Sequence, residues 1–420
     1  MNAPGLTPRR ARGGIPKLPP YRRLLSPPMK SSLLLALAGL SVPACALAQS
    51  STTDAGLWPP HWSLADGTEV SLTGNIAYDL NRVDADGTAL QDDDAWRRHE
   101  FGLNVKRKGV YDVAIAYDFH NENWMDVTLR LETKALFGRD LGKVRLGHMK
   151  LPLGFEGNSA TRNGSFMENS IATQAFYEGR RLGVDWSLEQ PRWLFNAGWY
   201  ADDLHGNNPG NSMAARVAWT PRKQDGQVLH LGLSGTRELP DSEINGRGVE
   251  VLPSVRWRAK PEVSLTGVRL VDSGTLANID RIDRHGIEAL WIEGPWSLQG
   301  EYLRQETSRR GGLGNYASDG WYLSGSWLVT GESRVYSGGN VANPRPEGKA
   351  GAVELLARYS HIDLDSDGIA GGRESNWIVG ANWYVGRHLK FQANHVWADA
   401  RRGAAHVRPR ALELRAQLHF

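Results

Sequence analysis

Cysteine is nearly absent from this 420-residue chain. The single Cys45 excludes a disulfide scaffold and any multi-cysteine zinc or iron–sulfur site. Acidic residues are missing from the first 48 positions, which hold seven basic ones. Beyond residue 48 no run of 18 apolar residues occurs, so no helix predicted from the sequence could cross a membrane. Helical periodicity is scarce, and neither a G-x-S-x-G elbow nor an H-E-x-x-H pair is present. The 12 histidines are scattered, and no Ser–His–acid set stands out by spacing. A hydrophobic fraction of 40% with 23% charged residues excludes a disordered chain.

The acid-free start reads as an export leader. Met29-Lys30 supplies a short positive start, Leu33–Ala44 an apolar core, and Ala46-Leu47-Ala48 the small-x-small site that a signal peptidase requires. Residues 29–48 are therefore expected to be a signal peptide cleaved before Gln49. Residues 1–28, basic and Pro-rich ahead of a complete signal, read as an upstream start placed too early. Pro43 stands where lipidation of Cys45 would need a small or aliphatic residue, so a lipid anchor is not expected. Without the first 48 residues, 42 basic face 46 acidic residues, a net charge of −4 in place of the +3 of the whole chain. The apparent basicity lies in the leader, and nucleic-acid binding loses its support.

What recurs from residue 70 onward is a two-residue alternation. Val70, Leu72, Ile76, Tyr78 and Leu80 alternate with Ser71, Thr73, Asn75 and Asp79. Tyr111, Val113, Ile115, Tyr117 and Phe119 follow the same period, as do Phe101–Val105, Val127–Leu131, Leu182–Leu188, Trp193–Trp199, Ala215–Trp219, Leu229–Leu233, Val255–Ala259, Trp321–Val329, Val353–Tyr359, Trp377–Val385 and Leu389–Ala393. Sixteen to eighteen such segments are expected, separated by turns such as Asp84-Ala85-Asp86-Gly87 and Gly206-Asn207-Asn208-Pro209-Gly210. Their polar positions are ionic in mid-strand (Arg130, Arg216, Glu354, Arg358), and the apolar face ends in Trp and Tyr (Trp199, Trp219, Trp327, Tyr359, Trp383). A soluble sandwich does not place charges in mid-strand so freely. A membrane barrel with a watery lumen and aromatic girdles does. Leu412, Leu414, Ala416, Leu418 and Phe420 complete the pattern in the last ten residues. The fold expected is an all-β transmembrane antiparallel β-barrel of about 16 strands, over residues 69–420 after a short lead-in at 49–68.

Several blocks in register resemble the phosphate-selective porins O and P. Gly147-His148-Met149-Lys150-Leu151-Pro152-Leu153-Gly154-Phe155-Glu156 is similar to the family's G-x-x-K-x-P-x-G-x-E segment. Ser165-Phe166-Met167-Glu168, Gly179-Arg180-Arg181-Leu182-Gly183-Val184, the pair Arg97-Arg98, Gly351-Ala352-Val353-Glu354-Leu355 with Arg358-Tyr359-Ser360, and Asn382-Trp383-Tyr384 follow at the family's spacing. The resemblance implies a 16-stranded homotrimeric channel of the bacterial outer membrane, surrounded by lipid, that passes phosphate or related anions. It implies a constriction loop at about 152–179, folded inward, with no cofactor and no catalysis. Arg162 matches, by its distance from the Gly154-Phe155-Glu156 block, a position where members carry a basic residue. Arg180, Arg181, Arg98, Arg97 and Lys150 are the further constriction candidates. Arg97 points to lipid under strict alternation unless a bulge re-aims it.

Strand parity independently puts Arg98, Arg130, Arg181, Arg216, Arg256, Arg258, Arg358 and Arg415 on the polar side, a potential cationic ladder. Guanidinium groups suit such a path because they are permanently charged and bind oxyanions bidentately. Taken singly, each reads first as a solvated lumen charge paired with a neighbouring carboxylate, and only together do they form a ladder. Three departures weaken a tight phosphate site: Gly157 and Asn169 stand where the family has basic residues, and Glu100 adds an acid at a lumen position. A weakly selective general porin is therefore the alternative, with a barrel lipase or protease, or a soluble exported adhesion protein, further off. Asp363-x-Asp365-x-Asp367-Gly368-x5-Glu374 satisfies the pattern of a calcium loop. It lies between strands where that loop needs helices, and reads as an acidic hairpin with no metal.

Overall fold

The computed structural model describes residues 58–366 and 368–420, and the expected leader falls outside them. Sixteen long strands form the wall. They are β1 (Thr68–Asp84), β2 (Asp93–Arg107), β3 (Tyr111–Asp118), β4 (Asn123–Glu132), β5 (Lys143–Lys150), β6 (Arg180–Glu189), β7 (Trp193–Tyr200) and β8 (Gly210–Gln224). The second half comprises β9 (Gln227–Pro240), β10 (Ile279–Glu293), β11 (Trp296–Arg309), β12 (Tyr316–Leu328), β13 (Ala352–Ser366), β14 (Ile369–Val385), β15 (Leu389–Arg402) and β16 (Arg410–His419). Every strand pairs antiparallel with its sequence neighbours, and β16 pairs with β1. The sheet is closed. Phe420 and Gly74 exchange backbone hydrogen bonds of 2.9 Å in both directions. A closed sheet leaves no unpaired edge, the condition for β-structure in hydrocarbon.

Burial along the strands is inverted relative to a soluble protein. In β16, Leu412 and Leu414 are 41% and 42% exposed, whereas the intervening Glu413 is fully buried and Arg415 nearly so. In β15, Leu389, Phe391 and Trp397 face out while Lys390, Gln392 and Asn394 face in. The apolar face looks away from the protein, and the polar face lines the lumen.

Because consecutive strands are antiparallel, their connections alternate between two rims. One rim, here the turn rim, carries mostly short links (108–110, 190–192, 225–226, 294–295, 386–388) together with the start of β1 and the end of β16. The other, the loop rim, carries 151–179 and 241–278.

The expectations about strands need correction in two places. Val255–Ala259 is not part of the wall: its residues form two-residue pairings with Leu276–Ala277 and Val271–Asp272 inside the 241–278 connection. Arg256 and Arg258 thereby leave the ladder, and Arg256 pairs with Asp272 (Nε–Oδ1 2.7 Å). The alternation there is real but local, with Trp257 buried against Phe176 (5.9 Å) rather than facing lipid. Conversely β10 and β11 escaped the alternation rule. The lumen face of β10 carries Leu290 and Ile292, which pack with Phe155, Val228 and Val341, so both of its faces are apolar near the turn rim. The acidic motif at 363–374 is a hairpin as expected: Asp363 and Asp365 pair with Arg373, and Glu374 is buried on the opposite face. No cluster of three or more metal-ligating side chains occurs among the described residues.

Gly147, central in β5, adopts φ +123°, and a Cβ there would sit 2.1 Å from the Val127 carbonyl oxygen of β4. Gly147→Ala is expected to cost about 1–3 kcal/mol of barrel stability. A lowered urea midpoint for the unfolding of detergent-solubilised protein, followed by heat-modifiable gel migration, would show it.

Candidate functional site

Segment 151–179 joins β5 to β6, yet its hydrogen bonds reach strands on the far side of the sheet. Its first turn is held by Glu301 of β11, which accepts from the backbone N–H groups of Phe155 and Glu156, and by Ser234 of β9, which accepts from Gly154 N at 2.9 Å. Its middle is held through carbonyl oxygens by lumen cations: Lys390 of β15 donates to Arg162 O (2.9 Å) and Gly164 O (3.0 Å), and Arg415 of β16 to Met167 O (3.1 Å). Arg358 of β13 donates to Glu168 O (2.9 Å) and to Glu156 Oε1 (3.0 Å). A short helix, α1 (Ile171–Phe176), follows, capped by the Ser170 hydroxyl at Thr173 N and tied by Ile171 N to Glu262 of the 241–278 connection (2.9 Å). Connection 329–351 comes from the turn rim, and its Arg334 donates to Asn163 O (2.9 Å) and Ser165 Oγ. A buried cation stripped of water needs such partners, and backbone carbonyls of a loop supply them.

These anchors lie on β9–β16. Opposite, along β1–β8, two cavities stay open. One, of about 350 Å³, is lined by Arg98, Glu100, Asp118, Asp126, Lys150, Asn158, Arg162 and Arg180. The other, of about 840 Å³, is lined by Arg130, Arg145, Lys150, Asn158, Asp126, Asp185, Glu189, Arg216 and Lys223, and reaches the turn-rim residues Gln190 and Pro191. Lys150, Asn158 and Asp126 belong to both cavities and stand at the waist between them. Lys150 Nζ donates to Gly157 O (2.8 Å) and Ser159 O (2.6 Å), which leaves its charge unpaired with any carboxylate within 4 Å among the described residues. The Arg162 side chain likewise has no carboxylate within 4 Å among the described residues, although its backbone carbonyl is used by Lys390 and Asn343.

The structure thus brings Arg98, Lys150, Arg162 and Arg180 to one cavity. Arg180 is paired with Asp126 at 2.9 Å, and Arg98 sits 3.7 Å from Glu100. Arg97 is re-aimed by a bulge: the β1–β2 register shifts between Ile76 and Ala77, and Arg98 takes φ +66°. Arg97 consequently turns inward and ion-pairs with Glu168, with Asp79 at 3.7 Å. Arg181 is no cavity residue. It is fully buried between Glu178 (2.6 Å) and Glu238. Of the ladder, Arg130 lines the larger cavity with Asp112 3.6 Å away, Arg216 is held by Glu288 at 2.6 Å, and Arg358 by Glu156 and Glu262 (3.1 Å). The ladder is therefore mostly an ion-pair lattice rather than a row of free charges.

Sequence reasoning missed Arg145, which lines the larger cavity beside Lys150 and pairs with Asp185. Its parity with Lys143 in β5 was the available signal. Lys390 and Arg334, the loop's anchors, carried no such mark, because anchoring depends on where a distant loop lands. Gly157 has a local explanation: a Cβ there would meet the Tyr177 ring at 2.3 Å, so the aromatic ring fills the space a basic side chain would need. Glu100, the extra acid, accepts from Asn75 at 2.9 Å and lines the smaller cavity.

Residues 70–420 match the family model of the phosphate-selective porins O and P. The chain belongs to that family. It is a porin of the bacterial outer membrane, with a 16-stranded barrel. Porin O of Pseudomonas aeruginosa is 26% identical over 229 residues, 47% of this chain and 50% of that one, and the alignment spans about half the length of that relative. An uncharacterised protein of Caulobacter vibrioides is 26% identical over 354 residues, 78% of this chain and 68% of its own. Among solved structures, the anion-selective porin of Comamonas acidovorans superposes with a TM-score of 0.53 at 13% identity, covering 84% of this chain and all of that one. OmpT, an outer-membrane protein of Vibrio cholerae, gives 0.55 at 10% identity over 85% and 99% of the two chains. These likenesses concern the fold.

Glu168 lies outside the strands of this porin and carries much of the attachment of segment 151–179. Burial pushes its carboxyl up, but Arg97 beside it, with Arg98 and Arg415 farther off, holds it down at about 2. A depressed carboxylate stabilises above its ordinary value of 4.5, and the contribution is lost as pH falls through about 2. Glu168→Gln is accordingly expected to be noisier than wild type at neutral pH, with the difference between the two proteins holding down to pH 4.5 and closing below it. Bilayer recordings from neutral to acidic pH measure both.

Proposed function

We propose that this porin is a passive channel for anions, with phosphate or polyphosphate the preferred cargo, acting as a homotrimer through a pore that segment 152–179 constricts. The single observation that carries this reading is the waist between the two cavities, where Lys150 keeps unpaired charge, with Arg162, also unpaired, and Arg98 and Arg180 lining the smaller cavity that adjoins it. An anion there exchanges part of its water for guanidinium and ammonium donors, and leaves again because Lys150 and Arg180 also donate to protein acceptors. That the Comamonas porin is anion-selective and that the Vibrio protein has a trimer form agree with the reading. No step of bond-making is called for.

A weakly selective general porin is the second reading. Glu100, Asp118 and Asp126 favour it, since three carboxylates line the same cavity as the four cations. Reversal potentials in a salt gradient, with chloride current titrated by phosphate, separate the two. Anion preference with phosphate block supports the first. Removing one cation from a watery site costs about 1 kcal/mol, near fivefold in affinity, so Arg162→Ala and Lys150→Ala should each raise the half-blocking phosphate concentration about fivefold. A cation-preferring or phosphate-indifferent channel would overturn phosphate selectivity and leave the barrel intact.

A further inference from the structure

The outer wall near the loop rim carries a second basic cluster that the pore does not use. Arg373 of β14 and Arg401 of β15 are directly opposed across the sheet, both facing out, 60% and 67% exposed at their side chains. Like charges so placed cost stability unless something neutralises them. Arg408 and Arg410 adjoin them. The groove these four arginines line, of about 540 Å³, contains one carboxylate among the described residues, Asp399, and that carboxylate is already shared by Arg408 (2.8 Å), Arg401 (3.9 Å) and His406 (2.9 Å). Asp363 and Asp365 hold Arg373 from its other side, at 2.8 and 3.4 Å. Arg410 has no carboxylate within 4 Å among the described residues. Immediately toward the middle of the wall, Tyr359, Trp377 and Trp397 sit side by side on β13, β14 and β15, with Tyr359 and Trp377 4.9 Å apart. Beyond them the exposed face carries Leu355, Val379, Leu412 and Leu414, with His395 set against Trp397 at 4.2 Å.

Arginines, an aromatic row and then hydrocarbon follow one another along the barrel axis on one face. That is the layering of a phosphorylated lipid: phosphate, interfacial sugar or glycerol, acyl chain. We propose that this groove binds a phosphorylated glycolipid of the outer leaflet, its phosphates on Arg373, Arg401, Arg408 and Arg410 and its acyl chains along the aromatic row. Bidentate guanidinium–phosphate contacts neutralise the opposed pair Arg373/Arg401. The proposal rests on the outer-membrane placement of the barrel and also orients it, with the loop rim outward. A second protomer is a poorer occupant, because the outward residues bordering the groove are the aliphatic and aromatic lipid face and offer it no matching acidic surface.

The test uses the full purified porin in detergent and bisphosphorylated lipid A as probe, with bound lipid counted by native mass spectrometry. Wild type is expected to bind it at least tenfold tighter than dephosphorylated lipid A. A fourfold Arg→Gln variant at 373, 401, 408 and 410 should lose at least tenfold, and the Arg→Lys counterpart should retain most of the binding. Equal binding of the dephosphorylated lipid by wild type, displacement by inorganic phosphate as effective as by lipid A, or dissociation of the oligomer in the Gln variant would each overturn the proposal, the last by making the patch a subunit contact. Because wild type alone decides the phosphate comparison, a Gln variant that fails to fold does not rescue it. Conductance and anion preference should be unchanged in the Lys and Gln proteins, so failure of lipid binding is distinguishable from failure of the pore reading.

Discussion

Everything in this barrel follows from the inability of hydrocarbon to accept a hydrogen bond. The backbone meets that constraint by closing on itself between β16 and β1, and the side chains meet it by sending every strongly polar group of the middle wall into the lumen. The lumen then inherits a crowd of charges in limited space. Arg181, Arg216, Arg284, Arg358 and Arg415 are each nearly or wholly buried, and each is matched by carboxylates. Such pairs add little net stability, because desolvation offsets most of the attraction, but deleting one partner strands the other at about 3–5 kcal/mol. The lattice is thus a device of specificity. It fixes where segments from both rims come to rest.

The same chemistry divides the lumen. On the β9–β16 side, Lys390, Arg358, Arg415 and Arg334 spend their donors on loop carbonyls and carboxylates, and apolar contacts such as Phe155 with Val228, Leu290 and Ile292 complete the packing. On the β1–β8 side Arg98, Arg145, Lys150 and Arg180 face cavities. A cation whose partner is a neutral carbonyl, as for Lys150, keeps its full field, whereas one matched to a carboxylate presents a dipole. Counting arginines overstates how positive a pore is; what matters is which of them lack an acid.

That distinction marks the limit of what the sequence made legible. Alternation in β1, β13, β14 and β15, the aromatic ends and the terminal strand were readable because lipid on one face imposes a period of two. Val255–Ala259 mimicked a wall strand because short packed pairings impose the same period, and β10 concealed itself because loop packing made its lumen face apolar too. Arg162, Lys150, Arg98 and Arg180 were identifiable by motif and parity. That Arg181 would be consumed by Glu178 and Glu238 was not, since Glu238 is 57 residues away and its encounter depends on closure of the sheet.

The bulge at Arg98 shows how one local irregularity sets the polarity of the pore. Without it, consecutive residues 97 and 98 would face opposite media, and one guanidinium would be thrust into lipid at about 2–4 kcal/mol near the midplane. With Arg98 at φ +66° both enter the lumen, and their roles separate: Arg97 is captured by Glu168 and holds the loop, while Arg98 stays at the cavity wall. The acid that captures Arg97 belongs to the very loop that borders the waist. Anchoring strength and pore electrostatics are therefore coupled through adjacent residues, so that tightening the loop consumes a cation and freeing a cation loosens the loop. Gly157 and Asn169, where the family resemblance implies positive charge, then follow as one arrangement: Tyr177 packs where one basic side chain would lie, and the loop is held by wall cations reaching inward instead of by its own reaching out.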